Sequence, residues 1–153
     1  MSVNFKDILK GKVVIVGMGN TLRGDDGFGP VLIGRLKGYV DAVCIDAGST
    51  PENHIGSILK EKPDTILIVD VVHLGLKAGE YDVLTKSDIL RCGFSTHDIS
   101  PNTFIEYLEK KTDASIYMLA IQPQVLDFGD DMSDIVKKKL DELSGLIVEA
   151  KNA

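Results

Sequence analysis

The chain predicts an α/β fold with a mixed, mostly parallel sheet, on three observations. Apolar runs without polar alternation recur along it, as in Lys12 to Val16, Thr65 to Val69 and Ser115 to Ile121, and such runs mark strands covered on both faces. Between them, apolar residues recur at the spacing of one helix face. One further run, Glu80-Tyr81-Asp82-Val83-Leu84, alternates polar and apolar, the pattern of an edge strand with one wet side, antiparallel to its neighbours.

The order of elements follows. Lys12 to Val16 is a central parallel strand that ends in a Gly-rich turn. Phe28, Val31, Leu32 and Leu36 then line one side of a helix. Pro30 is tolerated in its first turn, because the N–H that proline lacks would have no partner there. Ala42 to Ile45 reads as a strand ending at Asp46, and Pro51 to Lys60 as a short helix with Ile55, Ile58 and Leu59 inward. Ser100-Pro101 offers an N-cap followed by proline at the first helical position. Phe104, Ile105 and Leu108 give the helix after it an apolar stripe. Val136, Leu140, Leu143 and Ile147 mark a C-terminal amphipathic helix that covers the sheet.

With 153 residues, 44% hydrophobic and 26% charged, and no repeat or linker, the chain reads as one globular domain, 1–153, long enough to bury a core. A net charge of −6 repels a phosphate backbone and argues against a nucleic-acid partner. No apolar run approaches the ~20 residues that span a bilayer, and residues 1–7 lack the layout of a secretory signal. The expectation is a cytoplasmic protein without a membrane partner. Cys44 and Cys92 are far apart and outside any Cys-x-x-Cys pair, so they read as reduced thiols.

Asp26, Asp70 and His97 each follow an apolar run, at the end of the sheet where α/β folds collect their active-site groups. Two carboxylates and an imidazole suit a borderline divalent metal. Gly17-x-Gly19 invites a dinucleotide-binding reading, but Leu22 stands where the third glycine is needed. Asp25 and Asp26 would also repel a phosphate at the helix start, and no P-loop Lys-Ser/Thr follows.

Simpler readings stand beside this one. One aspartate of the pair can cap the helix, and Asp25 is the natural choice, leaving Asp26 to face inward. Asp70 alone could form a structural salt bridge. His97 alone could be a solvated loop residue, and His54 a surface residue. His73, three residues past Asp70, is a possible substitute ligand. Ser49 and Thr50 have no evident histidine base.

Taken together, Gly17-x-Gly19-Asn20, Gly24-Asp25-Asp26-Gly27-x-Gly29, Asp46-x-Gly48, Ile68-Val69-Asp70 and Thr96-His97 resemble the [NiFe]-hydrogenase maturation proteases. Ser49-Thr50-Pro51-Glu52-Asn53, Gly75-Leu76-x-x-Gly79-Glu80 and Ile121-Gln122-Pro123 resemble the branch serving the hydrogenase-3 type of large subunit. The resemblance spans nearly the whole chain. It implies a three-layer fold, a twisted five-stranded sheet between helices, of the phosphorylase/hydrolase-like kind.

It also implies an endopeptidase that removes a short C-terminal peptide from the nickel-loaded precursor of a hydrogenase large subunit. Nickel would be contacted by Asp26, Asp70 and His97 and delivered on the precursor rather than held tightly by the protease. Catalysis could use metal-polarised carbonyl, metal-activated water, or Asp26 or Asp70 as a carboxylate base. The rival class is a non-catalytic α/β module that binds nickel or another ligand. A general metallopeptidase is a third reading, against which the missing His-Glu-x-x-His helix counts.

Overall fold

The computed structural model describes residues 4–92 and 101–153, with the side chains of Leu90, Arg91, Cys92 and Pro101 left aside. Val13–Met18 (β1) is buried at every position, as its unbroken apolar run requires, and so is Thr65–Val71 (β3). Residues alternate between two faces along each. Val13 and Ile15 of β1, with Leu67, Val69 and Val71 of β3, join one core cluster. Val14, Val16, Met18, Ile66 and Ile68 join the other.

The remaining strands are Val43–Gly48 (β2), Tyr81–Thr85 (β4) and Ser115–Ile121 (β5), in the sheet order β2-β1-β3-β5-β4. β1, β2, β3 and β5 are parallel, while β4 runs antiparallel to β5 at the edge. The five-stranded, mixed, mostly parallel sheet is thus present as expected, with its alternating strand at the rim.

On one face lie Phe5–Ile8 (α1), Phe28–Leu36 (α2) and Asp134–Asn152 (α6), which supply Phe5, Phe28, Leu32, Leu36, Val136, Leu140, Leu143 and Ile147 to the first cluster. On the other lie Ile55–Lys60 (α3), Lys86–Cys92 (α4) and Pro101–Lys111 (α5), through Ile58, Ile89, Phe104, Ile105 and Leu108. Helices therefore cover both faces of the sheet, the three-layer arrangement.

Several elements differ from the sequence reading. On α2 the inward residue is Ile33, whereas Val31 is 36% exposed. Pro51–His54 is a 3-10 turn ahead of α3. α1, α4 and a 3-10 turn at Gly24–Gly27 are too short to leave a periodic signature. α5 starts at Pro101. The proposed cap Ser100 lies outside the described residues. β3 extends through Asp70 to Val71, so Asp70 belongs to the strand rather than following it.

The sheet order creates a topological switch point between β1 and β3. The chain leaves β1 through α2 to β2 on one side, then returns through α3 to β3 on the other side of β1. Connections from two adjacent parallel strands diverge at such a switch point, and their carboxyl ends leave an opening where ligands bind.

Candidate active site

Asp26 and Asp70 flank that opening. Asp70 is the penultimate residue of β3, opposite Ala120 of β5. Asp26 sits in the 3-10 turn between β1 and α2, a turn in contact with β3.

Glycines hold the turn in place. A Cβ at Gly29 in the first turn of α2 would lie 2.3 Å from the Met18 carbonyl oxygen and 2.8 Å from that of Val69. A Cβ at Gly17 would lie 2.5 Å from the Gly29 carbonyl oxygen. Only hydrogen fits at either position, so α2 starts in direct contact with the ends of β1 and β3.

The Asp26 carboxylate closes its own loop, with Oδ2 accepting from the Asn20 N–H at 2.9 Å. Asn20 Oδ1 in turn accepts from the Leu22 N–H at 2.9 Å. Asp26 is 5% exposed, a buried carboxylate rather than a surface one.

Asp70 is fully buried. Its Oδ1 accepts from the Val71 N–H at 2.8 Å, while Oδ2 has no hydrogen-bond partner. Burial drives its pKa well above the ordinary carboxylate range, the Val71 N–H partly offsets this, and the negative charge of Asp26 raises it further. A buried carboxylate oxygen with no donor is costly unless it holds a proton or meets a cation. This is the observation that fits a divalent metal, because a carboxylate pair with one vacant oxygen is suitable hard-ligand chemistry.

The third expected ligand, His97, lies outside the described residues. Among the described residues, no three His, Cys, Asp or Glu side chains gather closely enough to hold a metal by themselves. α4 and α5, between which His97 falls in sequence, pack on the face shared by Ile66 and Ile68. By strand alternation Asp70 points to that face. His73 is exposed, with its Nδ1 3.5 Å from Gln122 Nε2, and the structure pairs it with that amide rather than with Asp70. His54 is half-buried at the end of its 3-10 turn, and the Cys44 thiol is free.

Asp25 is corrected. It does not cap α2, whose N-terminal position is Gly27 and which has no side-chain cap. Fully buried, Asp25 instead accepts from the backbone N–H groups of Gln124 at 2.7 Å, Val125 at 3.0 Å and Ser133 at 2.7 Å, and from the Ser133 hydroxyl at 3.0 Å. Its own N–H donates to the Val125 carbonyl at 2.8 Å. The carboxylate clasps the β5–α6 connection to the turn that carries Asp26.

Sequence reasoning missed this, because every partner lies about a hundred positions away. Gln122 was legible only as part of a motif. Its Oε1 accepts from the Leu74 N–H at 2.6 Å and the Leu76 N–H at 3.4 Å, securing the segment that follows β3.

The fold and this carboxylate pair define an α/β protein with two buried aspartates at the switch point of its sheet. The hydrogenase maturation protease family model matches residues 33–150. The hydrogenase 3 maturation protease of Escherichia coli K12 is 35% identical over 127 residues, covering 81% of this chain and 81% of that one. The crystal structure of the [NiFe] hydrogenase maturation protease HycI from Thermococcus kodakarensis superposes with a TM-score of 0.89 at 31% identity, over 97% of this chain and 98% of that one. The E. coli hydrogenase maturating endopeptidase HybD, at 16% identity over 92% of this chain and 91% of its own, shares the fold with a TM-score of 0.75. This chain belongs to the hydrogenase maturation protease family.

Proposed function

We propose that the chain is a cytoplasmic endopeptidase that removes a short C-terminal peptide from the precursor of a [NiFe]-hydrogenase large subunit after nickel has been inserted. The observation that carries this reading is the Asp26–Asp70 pair at the switch point, with Asp70 Oδ2 buried and unpartnered. Family membership supplies the reaction class.

Asp26, Asp70 and His97 would contact nickel that arrives as part of the substrate. Bound there, it would supply a local positive charge and polarise an adjacent carbonyl. The chain's own residues do the rest. The loop closed by Asp26 and Asn20 holds one buried carboxylate at the switch point. Burial pushes the Asp70 pKa up, and a cation arriving beside its unpartnered Oδ2 would offset the cost of holding a charge there. An unloaded precursor offers no such compensation, so cleavage is confined to precursor that already carries metal.

The test is the intact mass of a cognate precursor, nickel-loaded and nickel-free, after incubation with the protein. Loss of a C-terminal peptide from the loaded form alone is expected. Asp26→Asn, Asp70→Asn and His97→Ala should each lower kcat/KM by at least about 100-fold, the scale for removing one positioned catalytic or metal-contacting group. Stoichiometric nickel binding without cleavage of either form would instead mark a non-catalytic binding module. Cleavage of unrelated peptides with added zinc or nickel would mark a general metallopeptidase.

A further inference from the structure

Leu22 and Phe128 are among the most exposed large apolar side chains, at 66% and 71%, and they lie together beside the Asp26 loop. The Gly129 N–H donates to the Leu22 carbonyl at 2.9 Å. With Thr21, Gly129, Asp130 and Asp131 the two side chains line a shallow concavity.

The support beneath them is extensive. The Arg23 guanidinium sits 5.5 Å from the centre of the Phe128 ring, and its Nε donates to the Leu126 carbonyl at 3.2 Å. The Gly24 N–H donates to the Asp130 carbonyl at 3.1 Å, and the Asp25 clasp fixes the neighbouring backbone. Isolated exposed leucines are ordinary on a protein surface, but two large apolar groups held side by side on an anchored backbone form a surface built for contact.

Charge selects the occupant. Asp127, Asp130 and Asp131 are exposed around the pair, while the adjoining cation, Arg23, is already engaged with the Phe128 ring. The patch is also continuous with the candidate active site, because the Leu22 N–H bonds to Asn20 and the Asn20 N–H to Asp26. The patch and Asp26 thus share one hydrogen-bonded loop.

We propose that Leu22 and Phe128, rimmed by Asp127, Asp130 and Asp131, form the docking surface for a precursor segment that pairs an apolar side chain with basic neighbours. This rests on the endopeptidase reading and adds a substrate-recognition site outside the carboxylate pair.

The experiment measures kcat and KM for cleavage of nickel-loaded precursor, and in parallel the Kd of fluorescently labelled precursor, for wild type, L22S/F128S and D130N/D131N. The apolar double variant is expected to raise KM and Kd about tenfold, the scale of truncating one or two central contacts. The charge-neutral variant should raise them about threefold at low salt, with the difference vanishing near ~0.5 M salt as screening takes over. F128L should recover most of the lost affinity.

Unchanged KM and Kd in both double variants overturn the docking surface while leaving the endopeptidase intact. Failure of wild type to cleave any precursor overturns the endopeptidase reading, and the Kd comparison still decides the docking surface. If L22S/F128S does not fold, by circular dichroism and Tm, the salt dependence of D130N/D131N carries the decision. A wild-type dimer that L22S/F128S dissolves without moving KM would assign the patch to self-association and overturn the proposal.

Discussion

At the scale of single residues, Asp70 is a stability cost retained in the interior. Its folded-state pKa lies above the unfolded value, so in the interval between the two the native chain binds more protons than the unfolded one. Stability therefore falls as pH rises through that interval and levels off above the folded pKa. Asp70→Asn abolishes this dependence. In the metal-free protein at pH 8 it should raise Tm by about 2–4 °C, the shift per kcal/mol for a chain of this size, while processing is lost. A Tm below wild type at that pH would show that Asp70 does not bear the cost. The sequence could place Asp70 at a strand end from its apolar neighbours alone. That one oxygen lacks a donor depends on the packing of β5 and the turn around it, which no local pattern encodes. Asp25 gives the opposite lesson. Its neighbours made it look like a helix cap, yet its partners are Gln124, Val125 and Ser133.

Elements come together at this site through what glycine omits. Gly29→Ala would drive a methyl group into the Met18 carbonyl, and α2 would have to lift from β1. The expected loss is about 2 kcal/mol or more, within the range for overpacking a tight interior contact, read as a lower urea midpoint. Asp25→Ala leaves three backbone N–H groups without their acceptor, each costing about 1–3 kcal/mol if it stays dry. Hydrogen exchange at Gln124, Val125 and Ser133 should speed up in that variant while β3 amides stay protected. Equal exchange in both proteins would deny the clasp. Strands follow their apolar runs, and β5 matches its predicted span of Ser115 to Ile121. β3 runs past the predicted span because a charged residue ends an unbroken apolar run in sequence, whereas the sheet continues through Asp70 to Val71. Gly29 was visible as a letter but not as a contact, since a missing Cβ matters only against atoms that arrive from elsewhere.

For the whole molecule, the order β2-β1-β3-β5-β4 places the end of β3 and the turn after β1 on either side of one opening. That position follows from connectivity rather than from any single motif. It explains why Asp70 senses the charge of Asp26, 44 positions earlier in the chain. If nickel reaches the opening on the precursor, a chelator that strips free metal should leave cleavage of preloaded precursor within about twofold of its untreated rate, since the metal that matters is already bound to the substrate. Free nickel added to unloaded precursor should not restore cleavage. Loss of activity with chelator, reversed by nickel added to the protease alone, would assign the metal to the enzyme.

The Asp25 clasp also has a consequence for biosynthesis. The acidic turn at 24–27 emerges from the ribosome early, but the residues that fasten it, Gln124 to Ser133, emerge about a hundred residues later. At roughly 5–20 residues per second, the nascent chain spends several seconds or more with this turn made and its fastening absent. A fragment ending before residue 124 would carry both Asp26 and Asp70 but none of the groups that fasten Asp25.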